Sequence, residues 1–205
     1  MSLSVNSFSY GSIDKNSAQY KAAKKMVDAG EALDGGFKTR EQQLIDEIFG
    51  GKEARIRNWM RYFDADGDFI DPATGLAGLC VDGKNPSEYQ QIISISDEGK
   101  QSMWNMVKSE FVENYGVHNG DTTKRSDVYL DYYKSIPKDD RLKAQYTLQQ
   151  YERSYYNALY NIVKEANPDW KIGDAFDTSI LNNVTLETIS GSTSSSGSKN
   201  FDISI

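Results

Sequence analysis

The chain has 205 residues, 38% of them hydrophobic and 26% charged, which is the profile of a folded domain with room for a core rather than of a disordered chain. Its formal charge is −7, and the basic residues (Lys24, Lys25, Arg55, Arg57, Lys124, Arg125) are scattered among acids, so the basic stripe that phosphate backbones require is missing and nucleic acid is disfavoured as a partner. One cysteine, Cys80, excludes an internal disulfide framework and a cysteine-rich zinc site.

Residues 1–13 are rich in Ser, Asn, Gly and Tyr and read as a flexible arm, with neither the basic start nor the apolar run of a secretory signal. Helix formers dominate residues 14–33, before Asp34-Gly35-Gly36. A second helix is predicted from Thr39, where Thr39 and Gln42 match a capping box. Its apolar positions, Leu44, Ile45, Ile48, Phe49, Ile56, Trp59, Met60 and Phe63, recur at helical spacing and predict one buried face, with a kink or break at Gly50-Gly51.

Helical periodicity lapses over residues 64–95, which hold aspartates, glycines, Pro72 and Pro86. Gln91–Ile95 alternates weakly and is the one candidate strand. Ser96 is a good N-cap, and Asp97 and Glu98 suit the positive end of a helix carrying Met103, Val107, Phe111 and Tyr115. A shorter helix is expected over 123–136, stopped by Pro137, and the longest over 138–167, ended by Pro168. Its stripe is Leu148, Tyr151, Tyr155, Leu159, Ile162 and Ala166. Residues 190–200 are low in complexity and read as a linker or tail, after which Phe201–Ile205 alternates like a short strand. No segment approaches the ~20 apolar residues that span a bilayer. The expected fold is mainly α, a bundle of four to six helices in one domain over 14–189, with an irregular insertion at 64–95 and at most a short strand.

Most of the chemistry lies in Asp64-Ala65-Asp66-Gly67-Asp68-Phe69-Ile70-Asp71. Aspartates stand at positions one, three, five and eight of a loop that follows an amphipathic helix. Alternate side chains of a tight loop can converge on one point, and hard oxygens suit calcium. Two like charges at ~4 Å repel by about 4 kcal/mol at an effective dielectric of about 20, so converged carboxylates need a cation or a raised pKa, and without either the loop should splay. A solvated Asp/Gly turn and a catalytic magnesium site are the alternatives.

The stretch resembles the Asp-x-Asp-Gly-Asp-x-x-Asp calcium loops of thrombospondin type 3 repeats and related bacterial surface modules, and a degenerate EF-hand loop. The resemblance implies Asp64, Asp66, Asp68 and Asp71 as carboxylate ligands and the carbonyl of Ile70 or Phe69 as a backbone ligand. The loop departs from the EF-hand pattern by Gly67 at position four, Asp71 at position eight, and Gly75 where a bidentate glutamate belongs at position twelve.

Tyr129, Tyr132, Tyr133, Tyr146, Tyr151, Tyr155, Tyr156 and Tyr160 crowd one helical region. Packing of the core is the simpler reading. The sharper one is an aromatic face for a protein or glycan partner, with Tyr133, Tyr156 and Trp170 as its candidates. Cys80 is expected to be a small buried residue and His118 a turn residue. Paired acids (Asp139-Asp140, Glu110 and Glu113) read as a helix start and a solvated face. No hydrolase, P-loop, dinucleotide or zinc-protease motif is present. The expected function is a non-enzymatic, calcium-stabilised interaction or structural protein of bacterial type, secreted or at the cell surface because weak calcium sites fill there, with cytoplasmic residence as the alternative. A second class is a secretion- or flagellum-associated export substrate or adaptor, since Ser94–Lys100 looks like short stretches of such proteins. A glycan-active enzyme is a third.

Overall fold

The computed structural model describes residues 13–33, 40–118 and 120–191. The expected N-terminal arm, the Thr39 cap and the Ser-rich tail with its terminal strand therefore lie almost wholly outside the described residues. Within them the fold is mainly helical, as the periodicity predicts, and no strand forms. The chain divides into two compact units, Met1–Cys80 and Val81–Ile205, where the sequence suggested one domain. Residues 64–80 of the irregular stretch fall in the first unit and residues 81–95 in the second.

In the first unit, α1 (Ala18–Leu33) packs along α3 (Gly51–Met60), and α2 (Arg40–Phe49) contacts α3 as well. Tyr20, Ala23, Val27, Ile56 and Phe63 form the core, edged by Ile13, Ala22, Trp59, Met60, Tyr62 and Phe69. Gly50 and Gly51 both have positive φ, 87° and 63°, so the break between α2 and α3 is real. That break explains a correction. Leu44 (49% exposed) and Ile48 (73% exposed) do not join the buried face that Ile56 occupies, because the left-handed pair resets the phase of the apolar stripe between the helices. Lys52 reaches Asp28 at 2.6 Å and Glu31 at 2.8 Å, and Arg55 pairs with Glu31 and Asp46. These pairs link α1, α2 and α3, each contributing little alone because water screens it.

The second unit is built around α5 (Asp97–Glu113), α6 (Thr123–Ser135) and α7 (Arg141–Ala166), which pack on one another. Short helices α4 (Pro86–Tyr89) and α8 (Leu186–Gly191) and the 3-10 turns Lys138–Asp140 and Thr178–Leu181 complete it. Most of the predicted boundaries hold here, but α7 starts at Arg141 after a 3-10 turn over Lys138–Asp140, and Tyr115 lies beyond the end of α5 with a left-handed φ of 50°. Ser96 caps α5, its Oγ accepting the Gly99 N–H at 3.1 Å, and α6 and α7 stop just before Pro137 and Pro168. Gly99 leaves no space for a side chain: an added Cβ would stand 2.7 Å from the Tyr132 ring. Met103, Trp104, Met106, Val107 and Phe111 of α5 meet Leu148, Tyr155, Leu159 and Val163 of α7 in the core. At the end of the α7 stripe the buried residue is Val163, while Ala166 is exposed.

Residues 91–96 adopt no regular secondary structure and pair with no strand among the described residues. Thr147, fully buried on α7, substitutes for a ladder. Its Oγ1 donates to the Lys143 carbonyl at 2.8 Å and accepts the Ile93 N–H at 3.0 Å. Thr147→Val keeps the shape and orphans the Ile93 N–H, so it is expected to cost about 1–3 kcal/mol in urea denaturation, with Thr147→Ser costing clearly less. Equal losses for the two variants would show that the hydroxyl is not what matters.

Candidate functional site

The aspartate loop begins where α3 ends. Tyr62 and Phe63 donate N–H bonds back to Trp59 and Met60, tightening the last turn. Gln19 of α1 then ties the junction down, its Nε2 donating to the carbonyls of Met60 (3.0 Å) and Phe63 (2.8 Å). From here the backbone makes two successive turns. In the first, the Asp64 N–H reaches the Asp68 carbonyl at 3.0 Å, and the Gly67 N–H reaches the Asp64 carbonyl at 3.1 Å. Asp64 Oδ1 accepts the N–H groups of Asp66 (3.0 Å) and Asp68 (2.9 Å), which holds the turn from inside. Gly67 sits at the tip with φ 87°.

The chain then returns. Phe63 pairs with Phe69 in an antiparallel bridge, and the Ile70 N–H donates to Tyr62 at 2.8 Å. Ile70 also bridges Ala77. Asp71 heads the second turn: its N–H donates to Leu76, its carbonyl accepts from Gly75 at 2.7 Å, and its carboxylate accepts from the Ala73 N–H and the Thr74 hydroxyl. Residues 63–77 thus fold back and forth as a small meander held by backbone bonds and by the Asp64 and Asp71 carboxylates.

The five proposed ligand positions consequently divide. Asp64, Asp66 and Asp68 share the first turn. Ile70 lies in the return segment, and Asp71 organises the second turn. Among the described residues, no three acidic, histidine or cysteine side chains stand close enough together to hold a metal ion. Sequence spacing could show which carboxylates share a loop, but not that Asp71 would be engaged by Thr74, since that depends on where the second turn closes.

Two of the three aromatic candidates are buried. Tyr133 (7% exposed) and Trp170 (2% exposed) belong to the core of the second unit and present no face to a partner. Trp170 packs edge-on to Phe176 at 5.6 Å and near Phe111 and Tyr160, and its Nε1 donates to the Asp174 carbonyl at 2.7 Å. Burial pushes the Tyr133 phenol well above its ordinary value. Tyr156 is half-buried; its hydroxyl donates to the Gly116 carbonyl, and its ring stacks on His118 at 4.8 Å. His118 is exposed, as its turn sequence suggests, whereas Cys80 is exposed against the expectation of burial. Among the described residues no helix is long and apolar enough to cross a membrane.

Sequence reasoning passed over Arg125 and Glu152, which the fold joins beside Tyr156. Arg125 Nε meets Glu152 Oε2 at 3.0 Å, and Tyr129 donates its hydroxyl to the same oxygen at 3.1 Å. The two charges come from different helices, and no local pattern signals such a pair.

The family to which this chain belongs is described as a domain of unknown function, DUF3879, and its model matches residues 13–205. Comparison with curated proteins finds no match, and comparison with solved structures finds none.

Proposed function

We propose that this DUF3879 member is a non-enzymatic, calcium-binding helical protein of interaction or structural type, in which the ion braces the first turn of the meander and takes no part in catalysis. The supporting observation is the Asp64 carboxylate at the centre of that turn, with the N–H groups of Asp66 and Asp68 converging on its Oδ1. A carboxylate has roughly four lone-pair sites, so accepting N–H bonds leaves coordination chemistry within its reach. Asp64, Asp66 and Asp68 are the residues that would hold the ion, which takes six to eight oxygens and draws the rest from carbonyls and water. Drawing these carboxylates inward without a cation is opposed by their mutual repulsion, so the ion-bound loop is more closed than the one described here.

An ion bound only by the folded chain stabilises it by about 2.7 kcal/mol at a free concentration of ~100 times Kd. Calcium is therefore expected to raise the melting midpoint by several degrees over a chelated sample, and the Asp66→Asn/Asp68→Asn variant is expected to lose that rise. Differential scanning calorimetry of both proteins in both conditions decides the matter. Four equal midpoints would remove calcium from the account.

A further inference from the structure

The second unit contains a cavity of about 420 Å³, within the size range of small-ligand pockets, lined by His118, Arg125, Gln149, Glu152, Arg153, Tyr156 and Asn157. One wall is a face of α7, where Gln149, Arg153 and Asn157 follow at intervals of four with Glu152 and Tyr156 beside them. The other wall is the first turn of α6 and the segment before it, which carry Arg125 and His118.

Hydrogen-bonding capacity here is unbalanced. The one carboxylate lining the cavity, Glu152, is answered by Arg125 and Tyr129 at the same oxygen. Arg125 also lies over the Tyr129 ring at 5.2 Å, which holds the guanidinium in place. Arg153, by contrast, is exposed and has no carboxylate partner among the described residues. Gln149 and Asn157 stand one helical turn before and after it on α7 and line the same cavity, as does His118, whose ring stacks on Tyr156. A second acid, Glu110, lines a small recess that shares His118, Glu152 and Tyr156 with the cavity. Burial, and then the charge of Glu152, raise its pKa. Donors thus exceed available acceptors, in a chain whose overall charge of −7 would otherwise repel anions.

We propose that this cavity binds the anionic group of a small molecule, an oxyanion of the carboxylate or phosphate type, with Arg153 as its principal contact and Gln149, Asn157 and His118 completing the donor set. A planar guanidinium matches two oxygens of either group, and such charge-assisted bonds are the strong ones. This assignment stands apart from the calcium reading, since it uses no residue of the aspartate loop.

His118 is the chain's single histidine, so its imidazole proton gives one resolved NMR signal at the cavity. The full chain would be titrated with inorganic phosphate and separately with acetate, to tens of millimolar at fixed pH. Sodium chloride at matched ionic strength serves as the control for screening. A saturable shift of the His118 signal with phosphate or acetate, absent with chloride, is expected. Arg153→Ala, a change at an exposed position, should weaken that binding by about tenfold or more, and Arg153→Lys should restore part of it. A preference for phosphate would identify a phosphorylated ligand, and a preference for acetate a carboxylate; either upholds the site. No saturable shift with either anion would overturn the proposal, as would equal affinity in the folded Arg153→Ala variant.

Discussion

Replacing Trp170 by alanine is expected to destabilise the second unit by about 3–5 kcal/mol, the largest single effect among the substitutions considered. The indole is 2% exposed and packs among Phe111, Tyr160 and Phe176. It also covers Gly116, where an added Cβ would meet the ring at 3.2 Å. Removing it takes away this aromatic contact area and leaves a void, and the Asp174 carbonyl loses its donor at 2.7 Å. Trp170→Phe retains much of the packing and should cost noticeably less. Guanidinium denaturation followed by circular dichroism measures both. A Trp170→Ala protein with wild-type stability would mean that the ring is not a core element, and the aromatic-face reading of this residue would return.

Gly67→Ala is expected to destabilise the first unit by about 2–4 kcal/mol. The backbone there is left-handed, φ 87°, which costs a side-chain-bearing residue about 1–2 kcal/mol. The added methyl would also stand 3.0 Å from the Ala18 carbonyl oxygen and 3.2 Å from its carbon, so the loop tip or the start of α1 must move. Gly75 supplies the internal control. It too is left-handed, φ 71°, but nothing lies within 4 Å of its would-be Cβ. Gly75→Ala should therefore carry only the conformational cost, about 1–2 kcal/mol. Equal shifts of the urea midpoint for the two variants would show that the approach of the loop to α1 does not constrain the fold.

Much of the helical layout could be read from local chemistry. Ser96, Pro137 and Pro168 act through their own neighbours, so a cap or a stop is visible wherever it falls. The same holds for Gly50-Gly51. What could not be read is whatever depends on distant partners. The weak alternation of Gln91–Ile95 resembled a strand, but its backbone is instead held by Thr147, more than fifty residues away, whose hydroxyl accepts the Ile93 N–H. Leu44 and Ile48 have the spacing of a buried face, yet periodicity states only that a stripe exists, not that anything covers it. Aromatic richness had the same ambiguity: Tyr133 and Trp170 are inside because other elements enclose them. The division at Cys80 falls inside the irregular stretch flagged by its loss of periodicity, its glycines and its prolines. For the aspartate loop, the shared turn of Asp64, Asp66 and Asp68 was legible from their alternation. The separate engagement of Asp71 with Thr74 was not. The polar trio Gln149, Arg153 and Asn157 carries a signal at helical spacing, but one that any solvated helix face would also show.

The partition of the chain into two units carries an energetic consequence for the smaller one. Exposed area falls more slowly than volume as a folded body shrinks, so a short unit buries a lower fraction of its surface and has less hydrophobic driving force per residue to set against chain entropy. The Met1–Cys80 unit assembles its core from a handful of side chains on α1 and α3 together with Phe63. A small core of this kind leaves less hydrophobic stabilisation to spare. Modest contributions that a large domain would absorb, such as the Gln19 clasp, the Lys52 and Arg55 ion pairs or a cation at the meander, then decide a larger share of whether that unit stays folded.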